Sequence, residues 1–537
     1  MSELPRKKLS GKKKSFFLVL ALMSLFWLRV GYYAVTQEPL RVSKETTYLT
    51  GPIREDGTVD YAAALNERNK VGVTSENNAA VVLAKVLGPS VGGEEYFKEL
   101  GISIPLLDGD YYLPISQFHV ETFIPQTEAD WDLMPEFDLD DQYGFSEARP
   151  WTAEEFPDLA RFFEANRIPL DHLLAVVEKP KYYNPVVQST NWFSVGLSNK
   201  GVSAHLRNLS ADLCVKGMLA IGEKDFSQAH DCLNAIHRLA LCQVEESGTI
   251  SYLCYRGETD RVFRLMNELI SSGENKPEQL RHFQNILDEH ERQHGVAEHI
   301  NFGARIEALE EMNELIYRLY ISGENREVSS IRVAINGAKS LYRLDWNILY
   351  SRLNEGYDAV VENFRSVDPS MGFPVDNTSY DERTSAFNEM LSRCDIEYLQ
   401  LDVSLSREEF SERSGFYLFD VLGVSNGYTL ARSEVRGAVG LKVNQLGLRL
   451  EEHVIDNGSY PELLTDLEPP PTAEEMFDPF ADKDLTYKKN GRGYVLYSWG
   501  DNQFDQEGQS YGEIPPGDDI TFRIVRAITE PTKAERP

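Results

Sequence analysis

The sequence predicts a mainly α protein with an N-terminal transmembrane helix, a helical central domain of repeat-like hairpins and a small α+β C-terminal domain. Three observations predict this. A largely apolar stretch of about 20 residues, 16–35, follows a basic cluster. Apolar residues recur at helical spacing through most of residues 203–365. A last long amphipathic pattern stops at Asn457-Gly458 and gives way to strand-like residues around Asn490-Gly491, a hairpin signal.

Composition sets the bounds. A chain of 537 residues has room for two to four domains. Its 42% hydrophobic and 26% charged content is that of a folded globular protein, not a disordered one. The net charge is −31, although the first residues are basic. Such a field repels phosphate backbones and argues against nucleic acid as a partner. The five cysteines include no Cys-x-x-Cys, which argues against a zinc ribbon or a thioredoxin motif. Cys214 and Cys232 flank the turn signal Gly222–Asp225, and Cys242 and Cys254 flank Gly248. Each pair is spaced to meet across a helical hairpin, either as a disulfide in an exported body or as two buried thiols.

The elements follow in order. Residues 1–15 form a basic cytoplasmic tail. In 16–35, Phe16–Leu28 is apolar apart from Ser24, and Val30–Val35 continues it past Arg29. The basic flank predicts a cytoplasmic N-terminus and an exported body, hence a single-pass inner-membrane protein held through 16–35. A cleaved signal peptide is the alternative, because the core before Arg29 is short. Residues 37–200 form an N-terminal soluble segment with helices at Tyr61–Arg68 and Asn77–Leu87. Residues 106–148 are expected to be irregular, with an acidic run from Glu128 to Glu147 that lacks the glycine and terminal glutamate of an EF-hand loop. Thr152 and Glu155 fit a capping box that opens a helix, and Asn166–Glu178 fits another.

Residues 201–430 are expected to form a helical domain. Asp212–Ile221, a tight turn and Phe226–Leu241 make a hairpin of tetratricopeptide type without a clean period. Further helices are expected at Tyr252–Ser271, Pro277–Ala297, Ile300–Ile321, Val328–Leu353, Asp381–Cys394 and Phe416–Val424. Stacked hairpins of this kind present grooves that bind proteins. Residues 431–527 form the tail domain. Val435, Val439, Val443, Leu446, Leu450 and Val454 make one apolar stripe. Tyr460 and Leu463 are placed to pack on it. Strands are expected at Leu485–Lys489, Gly493–Trp499 and Ile520–Val525, with Tyr487, Tyr494 and Tyr497 on one face.

One catalytic pattern stands out. His290-Glu291-Arg292-Gln293-His294 fits His-Glu-x-x-His, in which two imidazoles on one helical face bind zinc and the glutamate acts as general base. His299, Glu298 and Glu310 are the candidate third ligands. Arginine and glutamine at the x positions and acidic flanks argue instead for an exposed helix surface. No phosphate-binding glycine loop following a strand is evident.

The tail's motif order is a helix, Gly458-x-Tyr460-Pro461-x-x-Leu464, Asp478-Pro479-Phe480, a hairpin, Tyr497-Ser498-x-Gly500 and an acidic loop. This order resembles the C-terminal part of the major pseudopilin of type II secretion. The resemblance covers about 435–519. It implies a calcium site in the loop, here at Asp501, Asn502, Asp505 and Asp518, with Asp519 nearby. The whole chain also resembles a planctomycete-type group of membrane-anchored proteins, through Tyr61–Arg68, Pro150–Pro157 and Lys179–Pro185. Together these readings point to a non-catalytic, extracytoplasmic binding or scaffold protein that recruits a protein partner through its helical domain. The alternatives are a zinc hydrolase using Glu291 and a component of a type II secretion-like apparatus.

Overall fold

A computed structural model describes residues 38–103, 111–118, 139–187, 195–246, 248–273, 276–293, 295–316, 344–366, 368–371, 405–422, 427–491, 493–510 and 516–525, with scattered positions from 18 to 36. The fold is mainly helical, as expected. Among the described residues, however, no helix is long and apolar enough to cross a membrane. This corrects the membrane-spanning helix expected at 16–35. The run itself explains the difference. Phe16–Leu28 has 13 residues before Arg29 interrupts it. At about 1.5 Å per residue that covers roughly 20 Å of a hydrocarbon core about 30 Å thick.

In chain order the main helices begin with α1 (Tyr61–Asn69), α2 (Ala79–Leu87), α3 (Glu94–Glu99), α4 (Leu139–Ala148), α5 (Pro157–Ala165) and α6 (Arg167–Leu173). The long ones follow as α7 (Val195–Gly222), α8 (Phe226–Glu245), α9 (Thr249–Ser271) and α10 (Pro277–Glu291). Then come α11 (Arg305–Ile316), α12 (Trp346–Arg365), α13 (Arg407–Leu422) and α14 (Gly427–Asn457). The strands are β1 (Phe477–Asp478), β2 (Lys483–Asp484), β3 (Thr486–Asn490), β4 (Gly493–Ser498) and β5 (Ile520–Ile524).

Local chemistry sets several boundaries. Asn78 caps α2 by accepting from the Ala80 N–H at 3.1 Å, and its side chain also exchanges hydrogen bonds with the Tyr183 backbone. Asp225 caps α8 through the Gln228 N–H at 3.1 Å. Thr152 does accept from the Glu155 N–H. That bond closes only a turn, and α5 starts later, with Pro157 in its first turn. The acidic stretch expected to be irregular becomes helical from Leu139 as α4, while Glu128 to Asp138 lie outside the described residues. The helix expected over 277–297 ends at Glu291. The helix expected at 381–394 and residues 328–343 of the Val328–Leu353 helix lie outside the described residues.

Two compact units are present. One draws on Met1–Asp60, Ala308–Ala359 and Thr378–Ser425. Its core pairs Tyr357 of α12 edge-on with Phe419 of α13, 5.0 Å between ring centroids. Gly356 and Gly415 allow that crossing, because a Cβ at Gly356 would strike the Phe419 ring and one at Gly415 the Leu349 carbonyl. Arg54 pairs with Glu310 at 2.5 Å, and Asn313 joins the Val59 carbonyl to the Tyr350 hydroxyl.

The other unit draws on Tyr61–Glu307, Val360–Asn377 and Asn426–Pro537. At its centre α7, α8 and α9 each pack against the other two, forming a three-helix bundle. The sharp turn after α7 is fixed by packing. Trp151 is fully buried and donates from Nε1 to the Val215 carbonyl at 3.0 Å. A Cβ at Gly222 would overlap the Trp151 carbonyl oxygen. Helix α14 lies along α9 and α10, with Val435, Val439, Val443, Leu446 and Leu450 buried as the stripe predicts.

Strands β3, β4 and β5 form an antiparallel sheet in that order, packed on α14. The hairpin turn sits one residue later than expected. Asn490 pairs with Gly493, so the turn starts at Gly491, whose φ of +59° suits glycine. Tyr494 faces α14 and donates to the Gly447 carbonyl, with Tyr487 beside it. Strand alternation puts Tyr497 on the opposite face, so the three tyrosines do not share one. Tyr460 is buried and donates to Glu451, whereas Leu463 is exposed and Leu464 is buried instead.

Asp478 ties this tail together. Its buried carboxylate accepts from the Ser498 hydroxyl and from the Phe480 and Trp499 N–H groups, at 2.8–3.0 Å. Asp478→Ala leaves three donors without their acceptor. The expected cost is about 3 kcal/mol, read from urea unfolding followed by tryptophan fluorescence. A loss below about 0.5 kcal/mol refutes the role assigned to this carboxylate.

Candidate functional site

The strongest concentration of chemistry-bearing side chains lies where α8, α9, α10 and α14 meet. Helix α10 carries Leu280, Phe283, Ile286 and Leu287 on its buried face. His290 continues that register at three and four residues from Leu287 and Ile286, so it turns inward and is buried. Its Nε2 lies 3.1 Å from Nδ1 of His237 on α8, and its Nδ1 lies 3.1 Å from the Tyr255 hydroxyl on α9. The other nitrogen of His237 meets the Glu289 carboxylate at 2.8 Å.

In the neutral chain the hydrogen positions follow from the ends. The Glu289 carboxylate only accepts, so His237 Nε2 carries a proton and its Nδ1 accepts. His290 Nε2 then donates, and His290 Nδ1 accepts from Tyr255. Burial holds His290 well below the usual histidine range, and the neighbouring His237 and Arg256 push it the same way. The hydrogen bond from His237 lowers Glu289 despite its partial burial.

A second group adjoins this chain. The Tyr252 hydroxyl donates to Glu434 of α14. Arg256 donates to the Tyr252 oxygen at 2.8 Å and lies 3.5 Å from Glu434, which also accepts from the Val296 N–H. Burial pushes the Glu434 carboxyl up to about 7, against the bond from Val296. Burial also lowers Arg256. The ring of His299 lies 5.1 Å from that of Tyr252. Gly295 and Gly437 leave the space that the Glu434 and Arg256 side chains fill.

Of the expected zinc pair, the structure describes His290. Helix α10 ends at Glu291, one residue beyond it. His294 lies outside the described residues. His290 was expected on an exposed surface and is instead buried, with both ring nitrogens engaged by protein. Glu291 is exposed and accepts from Gln445 at 3.2 Å. Of the candidate third ligands, Glu298 bonds Arg365 and Glu310 pairs with Arg54. Among the described residues no three His, Cys, Asp or Glu side chains are grouped to hold a metal ion.

The carboxylates expected at a calcium site are engaged in the tail's own bonding. Asp501 pairs with Arg432 at 3.0 Å, and Asp518 pairs with Arg436 at 3.3 Å and accepts from the Asn502 N–H. The Asn502 side chain accepts from the Phe504 N–H. Asp505 accepts from the Tyr497 hydroxyl, and Asp519 from the Gly508 N–H. Cys214, Cys232, Cys242 and Cys254 are free thiols, and Cys394 lies outside the described residues. Burial pushes Cys214 and Cys232 up to about 12, which leaves them unreactive.

Sequence reasoning singled out His290 but missed His237, Tyr255, Arg256 and Glu434. Their partners sit on other helices, from 35 to 182 residues away along the chain. The only local signal was a histidine at an apolar register on α10. No protein-family model, curated protein or solved structure matches the chain.

Proposed function

We propose that this chain is a non-catalytic binding or scaffold protein whose helical domain recruits a protein partner with a basic surface. One observation carries the proposal. The polar side chains at the α8–α9–α10–α14 junction are directed at one another, and both nitrogens of His290 are taken by His237 and Tyr255. A group held this way braces helices and has no ring nitrogen left for a substrate. The net charge of −31 supplies the complementarity for a basic partner.

The test uses the tagged full chain and a lysate of its own cells. A basic protein is expected to be captured, with recovery falling about tenfold as salt rises from about 0.1 M to about 0.5 M. Charge reversal at the exposed Asp231 of α8 and Glu278 of α10 is expected to weaken capture further. Salt-independent capture, or capture unchanged in D231K/E278K, rules out recognition through these carboxylates. Hydrolysis of a peptide or ester library by the full chain, lost in Glu291→Gln, would favour the hydrolase alternative.

A further inference from the structure

The bonds among Glu289, His237, His290 and Tyr255 run in one line across three helices, from the half-buried Glu289 to the interior. Each bond needs one proton and one lone pair. The neutral chain satisfies all of them, as set out above. One added proton is also accommodated. If it enters at His237, both nitrogens of that ring donate, His290 switches tautomer to accept at Nε2, and His290 Nδ1 then donates to the Tyr255 oxygen. Tyr255 has an alternative acceptor for its own hydrogen, the His290 carbonyl at 3.5 Å. A second proton has no place. With both imidazoles charged, two N–H groups point at each other across 3.1 Å.

The surroundings reinforce this limit. From α8 come His237 and Arg238, the latter near Glu289. From α9 come Tyr252, Tyr255 and Arg256. Helix α10 contributes Glu289, Arg292 and His282, and α14 contributes Glu434, which bonds Tyr252 and faces Arg256. The ring of His299 also lies on Tyr252. Arg256 opposes charge on His290.

We propose that this four-membered chain is a pH-sensitive latch that fastens α10 to α8 and α9, closed while His290 is neutral and opened by its protonation. The sign follows from linkage. His290 is neutral in the closed form, whereas in the opened chain it titrates at its ordinary value of 6.5. The latch is therefore fully closed above that value and loosens as pH falls below it, by about tenfold in the opening constant for each pH unit.

Hydrogen–deuterium exchange of the full chain tests the latch, after correction for intrinsic rates. Between about pH 6.5 and about pH 5.5, amides of α10 are expected to gain about fivefold in exchange, while those in the middle of α7 change little. In His290→Gln the extra exchange is expected to vanish. In Tyr255→Phe, which removes the donor to Nδ1 in the closed form, exchange at α10 is expected to be raised already above pH 6.5, with the onset still at that value. This second variant covers the case in which His290→Gln does not fold. No selective gain at α10 on acidification, or α10 exchange in Tyr255→Phe that is not raised above pH 6.5, overturns the proposal.

Discussion

Trp151→Ala is expected to lower the stability of the unit that holds α7–α9 by about 3–5 kcal/mol. The indole is fully buried, with Phe156 and Phe163 at ring separations of 5.9 and 6.2 Å. It is positioned by its bond to the Val215 carbonyl, whose loss adds about 1 kcal/mol. Its backbone also fills the space that Gly222 leaves, so side chain and main chain both pin the end of α7. Gly222→Ala tests the second part. A methyl group there meets the Trp151 carbonyl, and backbone yields less readily than a flexible side chain. That change is expected to cost about 1–3 kcal/mol or more. Far-ultraviolet circular dichroism during urea unfolding measures both. A shift under about 1 kcal/mol for Trp151→Ala contradicts the packing described.

The second large effect is alkaline destabilisation. Burial pushes Glu258 up to about 8 and both Glu246 and Glu434 up to about 7. In the unfolded chain the ordinary value is 4.5. These groups are therefore protonated in the fold at pH values where the unfolded chain has already released the proton. Their favourable contribution is fully present below 4.5 and is lost as pH rises through 7 and 8. For Glu258 alone the swing is on the order of 5 kcal/mol. Its geometry agrees with a neutral acid. One oxygen accepts from Gln243 at 3.1 Å, and the other is buried with no hydrogen-bond partner among the described residues. Thermal unfolding is expected to show a falling Tm between about pH 4.5 and about pH 8. Glu258→Gln is expected to flatten that fall. An unchanged slope in the variant removes Glu258 from the account.

Periodic apolar patterns carried the elements well. The stripe from Val435 to Leu450 is buried as predicted, and the strands of the tail sheet fall within about a residue of their expected places. Boundaries failed where tertiary contacts decide them. Thr152 and Glu155 form their local bond, yet helix α5 waits for Pro157. Tyr497 was grouped with Tyr494 by residue type, although alternation along β4 separates them. The membrane span was read from composition across Arg29, where 13 uninterrupted residues are too few. The polar junction was the least legible part. Its members come from α8, α9, α10 and α14, and nothing local tells a histidine that bonds across helices from one that faces solvent.

The bundle of α7, α8 and α9 is made from consecutive helices joined by short turns. Closing it costs little chain entropy, and it needs nothing synthesised later. Its outer partner is different. Helix α14 begins at Gly427, long after α10 has left the ribosome. Until then the surface that Val439 and Val443 will cover stands bare to solvent or to a chaperone. Birth order thus makes the last long helix the seal on a nascent intermediate, and any truncation upstream of it leaves that intermediate sticky.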